Sequence, residues 1–152
     1  MRSVLFVCAG NICRSPLAEA LFRQIAASRP LLAALDIGSA GTIAMDGNRA
    51  TPQAVRVALE ELGLDITAHR ARNIDGLDAD LILTVDGIVT REVTRLGLEG
   101  RVELLGAYSG TDEIVEDPYG GSDEEYLRCA RHLERLIRAA AERLERELAP
   151  DG

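Results

Sequence analysis

The stretch VLFVCAGNICRSP, residues 4 to 16, constrains this chain more than any other. Val4 to Val7 is an unbroken run of β-branched and aromatic-containing sequence, the pattern of a strand buried on both faces of a parallel sheet. The run stops at Cys8, passes through a Gly10–Asn11 turn and reaches Arg14, Ser15 and Pro16, and a proline suits the first turn of a helix. Leu17, Ala18, Leu21, Phe22 and Ile25 then recur at helical spacing, with Pro30 just past the predicted end. A strand, a tight polar loop and a helix N-terminus gather backbone N–H groups and the positive end of a helix dipole at one spot. Such a spot binds anions.

The rest of the chain repeats the strand–helix alternation. LDIGSAG (35–41) is a second short strand ending in glycine, and residues 52–62 form an amphipathic helix between Thr51 and the stop at Gly63. ADLILTV (79–85) is a third, buried strand, followed by a helical stretch through Leu96, and RVELL (101–105) is a fourth strand. From Asp123 onward, Tyr126, Ala130, Leu133, Ile137, Ala140 and Leu144 make one stripe of a long last helix. The alternation, without repeats or linkers, predicts one α/β domain over residues 1–150 with a mostly parallel sheet. Ligands bind such sheets outside the carboxyl ends of the strands, where the cysteine loop falls.

Charge narrows the chemistry. The net charge of −8 argues against nucleic-acid or anionic-membrane partners, so an anionic substrate must be drawn by a local positive site. All 17 basic residues are arginine, which excludes a GxxxxGK[ST] phosphate loop and any Schiff-base lysine. The opening MRSVLFVC has too short an apolar run for a signal-peptide core, and no stretch reaches membrane-spanning length. A cytoplasmic location is expected, and three cysteines there suggest thiol chemistry before structural disulfides.

Within the loop, Gly10 permits close backbone approach and Asn11 tolerates left-handed dihedrals. The helix end, the loop amides and Arg14 favour a Cys8 thiolate, to which Ser15 can donate a hydrogen bond. The guanidinium of Arg14 is a planar fork matching two phosphate oxygens. These parts suit a thiolate attacking phosphorus. The leaving group then needs an acid, and EDPYGGS (116–122) supplies Asp117 in a loop after the last strand, with Tyr119 beside the entrance.

VCAGNICRSP near the start and DPY at 117–119 resemble the low-molecular-weight protein tyrosine phosphatase family, whose motif reads V-C-x-G-N-[IT]-C-R-S-P and whose acid lies in a late D-P-[YF]. SAGT (39–42) and TAHRAR (67–72) extend the similarity over nearly the whole chain. The resemblance implies a four-stranded parallel sheet with helices on both faces and a phosphate-binding CX5R loop after the first strand. It implies Cys8 as nucleophile, Arg14 as phosphate ligand and Asp117 as general acid and then base. Ala9, Gly10, Asn11, Ile12, Cys13 and Ser15 would line the substrate site, and Asn11, Ser15, Ser39 and His69 would form the network that shapes the loop. It implies a phosphorylated protein substrate, a monomer, and no metal or cofactor. Cys13 either packs beneath the loop or forms a reversible disulfide with Cys8, which would make the enzyme redox-sensitive.

Two departures bear on specificity. Where many members carry an aromatic residue after SAGT, this chain reads IAMDGN, so Met45 is expected to take that wall. ATPQAV (50–55) and DPYGGS resemble the bacterial protein arginine phosphatase branch, yet that branch has threonine where this chain has Ile12. Phosphotyrosine is the expected substrate and phosphoarginine the alternative. An arsenate reductase of the same fold would need a further cysteine pair mid-chain, and none occurs between Cys13 and Cys129.

Plainer roles suit the remaining candidates. Cys8, Cys13, Cys129 and His132 are poorly spaced for zinc, and Arg14 opposes a cation. Cys129 falls on the apolar face of the last helix as a core thiol. His132 is expected on the helix surface and Asp86 in a solvated loop.

Overall fold

The computed structural model describes residues 1–150. Val4, Leu5, Phe6 and Val7 are all buried. Successive strand residues point to opposite faces, so β1 (Ser3–Cys8) has covering layers on both sides. It is central in an all-parallel sheet that also contains β2 (Asp36–Gly41), β3 (Leu81–Thr84) and β4 (Arg101–Leu104), in the order β2-β1-β3-β4. Cys8 ends β1 opposite Gly41 of β2, and Val7 pairs with Thr84 of β3.

The chain leaves β1 through α1 (Arg14–Ala26) toward β2 on one side, and leaves β3 through α4 (Gly87–Arg95) toward β4 on the other. Right-handed crossovers running in opposite directions put those two helices on opposite faces. The loops after β1 and β3 therefore diverge from neighbouring strands, which leaves a crevice at the carboxyl edge.

Helix boundaries follow local chemistry. In α3 (Pro52–Leu62), Thr51 caps by accepting from the Ala54 N–H at 3.2 Å, Pro52 opens the first turn, and Gly63 closes the end in the left-handed region at φ 67°. In α6 (Asp123–Leu148), Ser122 and Glu125 form a reciprocal capping box, and three acidic residues occupy the first turn at the positive end of the dipole. Its stripe Tyr126, Ala130, Leu133, Ile137, Ala140 and Leu144 is buried, and the helix packs on α1 and α3. Each of its fully buried Leu and Ile side chains contributes roughly 1.5–3 kcal/mol. Phe6 and Phe22 join β1 to α1, their tilted rings 5.6 Å apart.

Two short helices were not legible in the sequence. Pro30 does more than follow α1: it opens α2 (Pro30–Ala33), while α5 (Leu105–Tyr108) continues straight from β4. A four-residue helix carries too little periodicity to be detected. Among the described residues, no helix is long and apolar enough to cross a membrane.

Candidate active site

The loop from Cys8 to Arg14 closes around a buried asparagine. Asn11 adopts φ 56°, the left-handed conformation that its short polar side chain tolerates better than most residues. Its amide nitrogen donates to Ser15 Oγ at 2.7 Å and to Ser39 Oγ at 3.0 Å, and its Oδ1 accepts from the Arg72 backbone N–H at 2.9 Å. Its own carbonyl accepts from His69 Nε2 at 2.7 Å, which fixes the proton on that ring nitrogen. The four residues expected to shape the loop thus meet at one point. Ser39 passes the network on, donating to Glu19 Oε1 at 2.7 Å.

Strand β2 presses on the loop from the other side. Thr42 and Ile43 donate their backbone N–H groups to the carbonyls of Cys8 (3.1 Å) and Ala9 (3.0 Å). A Cβ on Gly41 would lie 2.4 Å from the Ala9 carbonyl oxygen and 2.9 Å from the Asn11 nitrogen, so the sequence needs glycine there.

Two polar groups converge on Cys8 Sγ: the Asn11 backbone N–H at 3.3 Å and the Ser15 hydroxyl at 2.9 Å. Donors at these positions, beside a helix N-terminus, stabilise negative charge on sulfur. Cys13 turns away, its sulfur 3.3 Å from Tyr126 Oη and 3.6 Å from Thr51 Oγ1. Burial pushes its thiol up, with the Tyr126 and Thr51 hydrogen bonds acting in the opposite direction. All three thiols are free, and burial drives that of Cys129 up to about 12, consistent with a core role.

Arg14 is buried and doubly held: Nη1 donates to Asp86 Oδ2 at 2.8 Å and to the Val115 carbonyl at 2.8 Å. Burial opposes its charge, but the Asp86 hydrogen bond and the fields of Cys8, Asp117 and Asp86 outweigh burial and raise its pKa. Asp86 therefore corrects the expectation of a solvated loop residue. It caps α4, accepting from the Val89 N–H at 2.8 Å, and anchors Arg14 with its other oxygen. Its position directly after β3, at the carboxyl edge beside β1, was the available signal.

Asp117 lies 3.7 Å from Arg14 Nη2 and is half exposed, its Oδ1 accepting from the Tyr119 N–H at 3.0 Å. Cys8, Ala9, Gly10, Ile12, Cys13, Arg14, Ile43, Asp117 and Tyr119 surround a pocket of about 200 Å³. Asn11, Ser15 and Met45, also expected around the substrate, are not among them; Asn11 and Ser15 are fully buried in the loop network, Met45 is 70% exposed, and Ile43 stands in its place. The backbone bond from Ile43 to Ala9 pins the first residues after β2 to the loop, so Ile43 reaches the pocket and Met45 lies beyond it. His132 is likewise no free surface residue, since its Nε2 lies 3.0 Å from Glu113 Oε1.

A buried sulfur, a guanidinium and an exposed carboxylic acid around one small pocket can cleave a phosphate monoester. The comparisons agree with that chemistry. The sequence model of the family described as low molecular weight phosphotyrosine protein phosphatase matches residues 3–149. The low molecular weight phosphotyrosine protein phosphatase of Sus scrofa is 37% identical over 153 residues, covering 94% of this chain and 96% of the relative. The crystal structure of a low molecular weight protein tyrosine phosphatase from T. tengcongensis superposes with a TM-score of 0.83 at 35% identity, covering 93% of this chain and 99% of that one. The YwlE arginine phosphatase from Geobacillus stearothermophilus superposes with a TM-score of 0.82 at 32% identity, covering 97% of this chain and 95% of that one. This chain belongs to the low molecular weight phosphotyrosine protein phosphatase family.

Proposed function

We propose that residues 1–150 form a cytoplasmic, monomeric protein tyrosine phosphatase that works through a cysteinyl phosphate. The observation that carries this is the convergence of Cys8, Arg14 and Asp117 on one pocket. Arg14 and the loop N–H groups hold the phosphoryl oxygens, which places phosphorus over Cys8 Sγ. The thiolate attacks, the bond from phosphorus to the tyrosyl oxygen breaks, and Asp117 gives its proton to that oxygen. Asp117, now a carboxylate, takes a proton from water as the water oxygen attacks phosphorus. The P–S bond breaks, the thiolate returns and phosphate leaves. Asp86 and Val115 hold the guanidinium in place through both steps. Asn11, Ser15, Ser39 and His69 keep the loop in shape.

Phosphotyrosine is favoured by the walls. Ile12 and Ile43 offer an aryl ring apolar surface, and Tyr119, 66% exposed, stands at the rim. A substrate guanidinium would find there one carboxylate, Asp117, and no hydroxyl from Ile12 or Ile43. Phosphoarginine is retained as a second reading because DPYGGS and ATPQAV accompany a close overlay on the Geobacillus arginine phosphatase. The test is kcat/KM on phosphotyrosine and phosphoarginine peptides side by side, with Cys8→Ser as the blank. A phosphotyrosine preference is expected. A phosphoarginine preference would replace the substrate assignment, and activity surviving in Cys8→Ser would overturn the mechanism.

A further inference from the structure

We propose that Gln53, on the first turn of α3, is a positioning residue for the acid step, holding the Asp117 turn against the phosphate loop. The proposal rests on the assignment of Asp117 as the acid.

The Asp117 side chain is half exposed and 3.7 Å from Arg14, and its hydrogen bond is local, Oδ1 accepting from the Tyr119 N–H within the same turn at 3.0 Å. Its position is therefore set by the backbone on either side. Upstream, Val115 is fixed: its N–H donates to the Val85 carbonyl at 2.9 Å, and its carbonyl accepts from Arg14. Downstream the chain turns at once. The Gly121 N–H donates to the Pro118 carbonyl at 2.8 Å, and Gly120 sits at φ 79°.

That turn is tied down from outside by Gln53. Its Nε2 donates to the Gly121 carbonyl at 3.1 Å and to Asp123 Oδ1 at 3.1 Å. Both partners are pure acceptors, so the two N–H bonds of one amide are used and the nitrogen must face them. Arg56 Nη2 donates to the same Asp123 oxygen at 2.8 Å, one helical turn along. The other end of the tether is the phosphate loop itself, because the Thr51 N–H donates to the Ile12 carbonyl at 3.0 Å. A path of Ile12, Thr51, Gln53 and Gly121 thus sets the distance between the loop that holds phosphate and the turn that carries the acid. Proton transfer needs the donor oxygen within about 2.6–3.2 Å of the leaving atom, so slack in this tether acts on the acid step.

The measurement is kcat/KM along a series of aryl phosphates, from 2,4-dinitrophenyl through p-nitrophenyl to phenyl phosphate, for wild type, Asp117→Asn and Gln53→Met. Good leaving groups depart without a proton and poor ones do not, so a misplaced acid steepens the dependence on leaving-group basicity. Gln53→Met keeps the length of the side chain and removes both donors. It is expected to lose about 5–20-fold on phenyl phosphate and less than about twofold on 2,4-dinitrophenyl phosphate, a fraction of the general-acid contribution. An unfolded fraction would lower every rate equally and leave the slope unchanged. A steep Asp117→Asn with Gln53→Met parallel to wild type would overturn the role of Gln53. An Asp117→Asn slope equal to wild type would overturn the acid assignment beneath it.

Discussion

Replacing Asn11 with alanine removes the centre of the loop network without touching a reacting atom. Three side-chain hydrogen bonds are lost, to Ser15, Ser39 and the Arg72 N–H. At about 0.5–1.5 kcal/mol each, they sum to roughly 1.5–4.5 kcal/mol. Alanine at φ 56° adds about 1 kcal/mol of backbone strain that asparagine largely escapes. The expected loss is therefore about 2.5–5.5 kcal/mol, a large share of the roughly 5–15 kcal/mol that holds a domain together. Asn11→Gly loses the same bonds but not the left-handed conformation, and should be about 0.5–1 kcal/mol less damaging. Chemical denaturation at neutral pH gives both numbers. Activity should fall further than stability, by about 10²-fold in kcat/KM at temperatures where the variants stay folded, because the N–H aimed at Cys8 moves with the loop. An Asn11→Ala protein within about 1 kcal/mol of wild type would show that the loop holds its shape without this network.

Asp86→Asn should keep the α4 cap, since asparagine caps as well as aspartate, but leave Arg14 buried beside a neutral group. A loss of about 3 kcal/mol by denaturant titration and a higher KM are expected, and a variant within about 0.5 kcal/mol of wild type would mean that Val115 and Asp117 suffice to hold the guanidinium. Glu113 takes the hydrogen bonds of Arg135 and the charge of Arg135 and His132, and its pKa falls from 4.5 to about 2. A carboxylate lowered on folding adds stability that is full above its unfolded value and is lost as pH falls from 4.5 toward about 2. The denaturation midpoints of wild type and Glu113→Gln should accordingly differ at neutral pH and converge through that window, whereas a gap constant with pH would point to packing.

The fold was largely legible because its signals are strong and local. VLFV is apolar on both faces, Thr51 and Gly63 bracket a helix, and one stripe runs the length of α6. The phosphate loop was legible for a similar reason: Cys8, Asn11, Arg14 and Ser15 lie within eight residues, and their chemistry follows from a strand–loop–helix context. What stayed hidden depends on pairs distant in sequence. Asp86 meets Arg14 across 72 positions and Tyr126 meets Cys13 across 113, and no local pattern encodes either contact. Met45 is expected as a wall only because it lies in the stretch where many family members carry an aromatic residue after SAGT. The backbone bond of Ile43 to Ala9 decides which residue faces the pocket, and composition does not record it.

The strand order β2-β1-β3-β4 has a consequence for vectorial synthesis. Cys8 is made well before Asp117, and α6, which packs over α1, follows both. Until β3 and the segments after it are made, Arg14 has neither Asp86 nor Asp117 beside it. A chain made only as far as the phosphate loop therefore holds Cys8 without the anchor that Asp86 gives Arg14 and without the Asp117 carboxylate that completes the pocket.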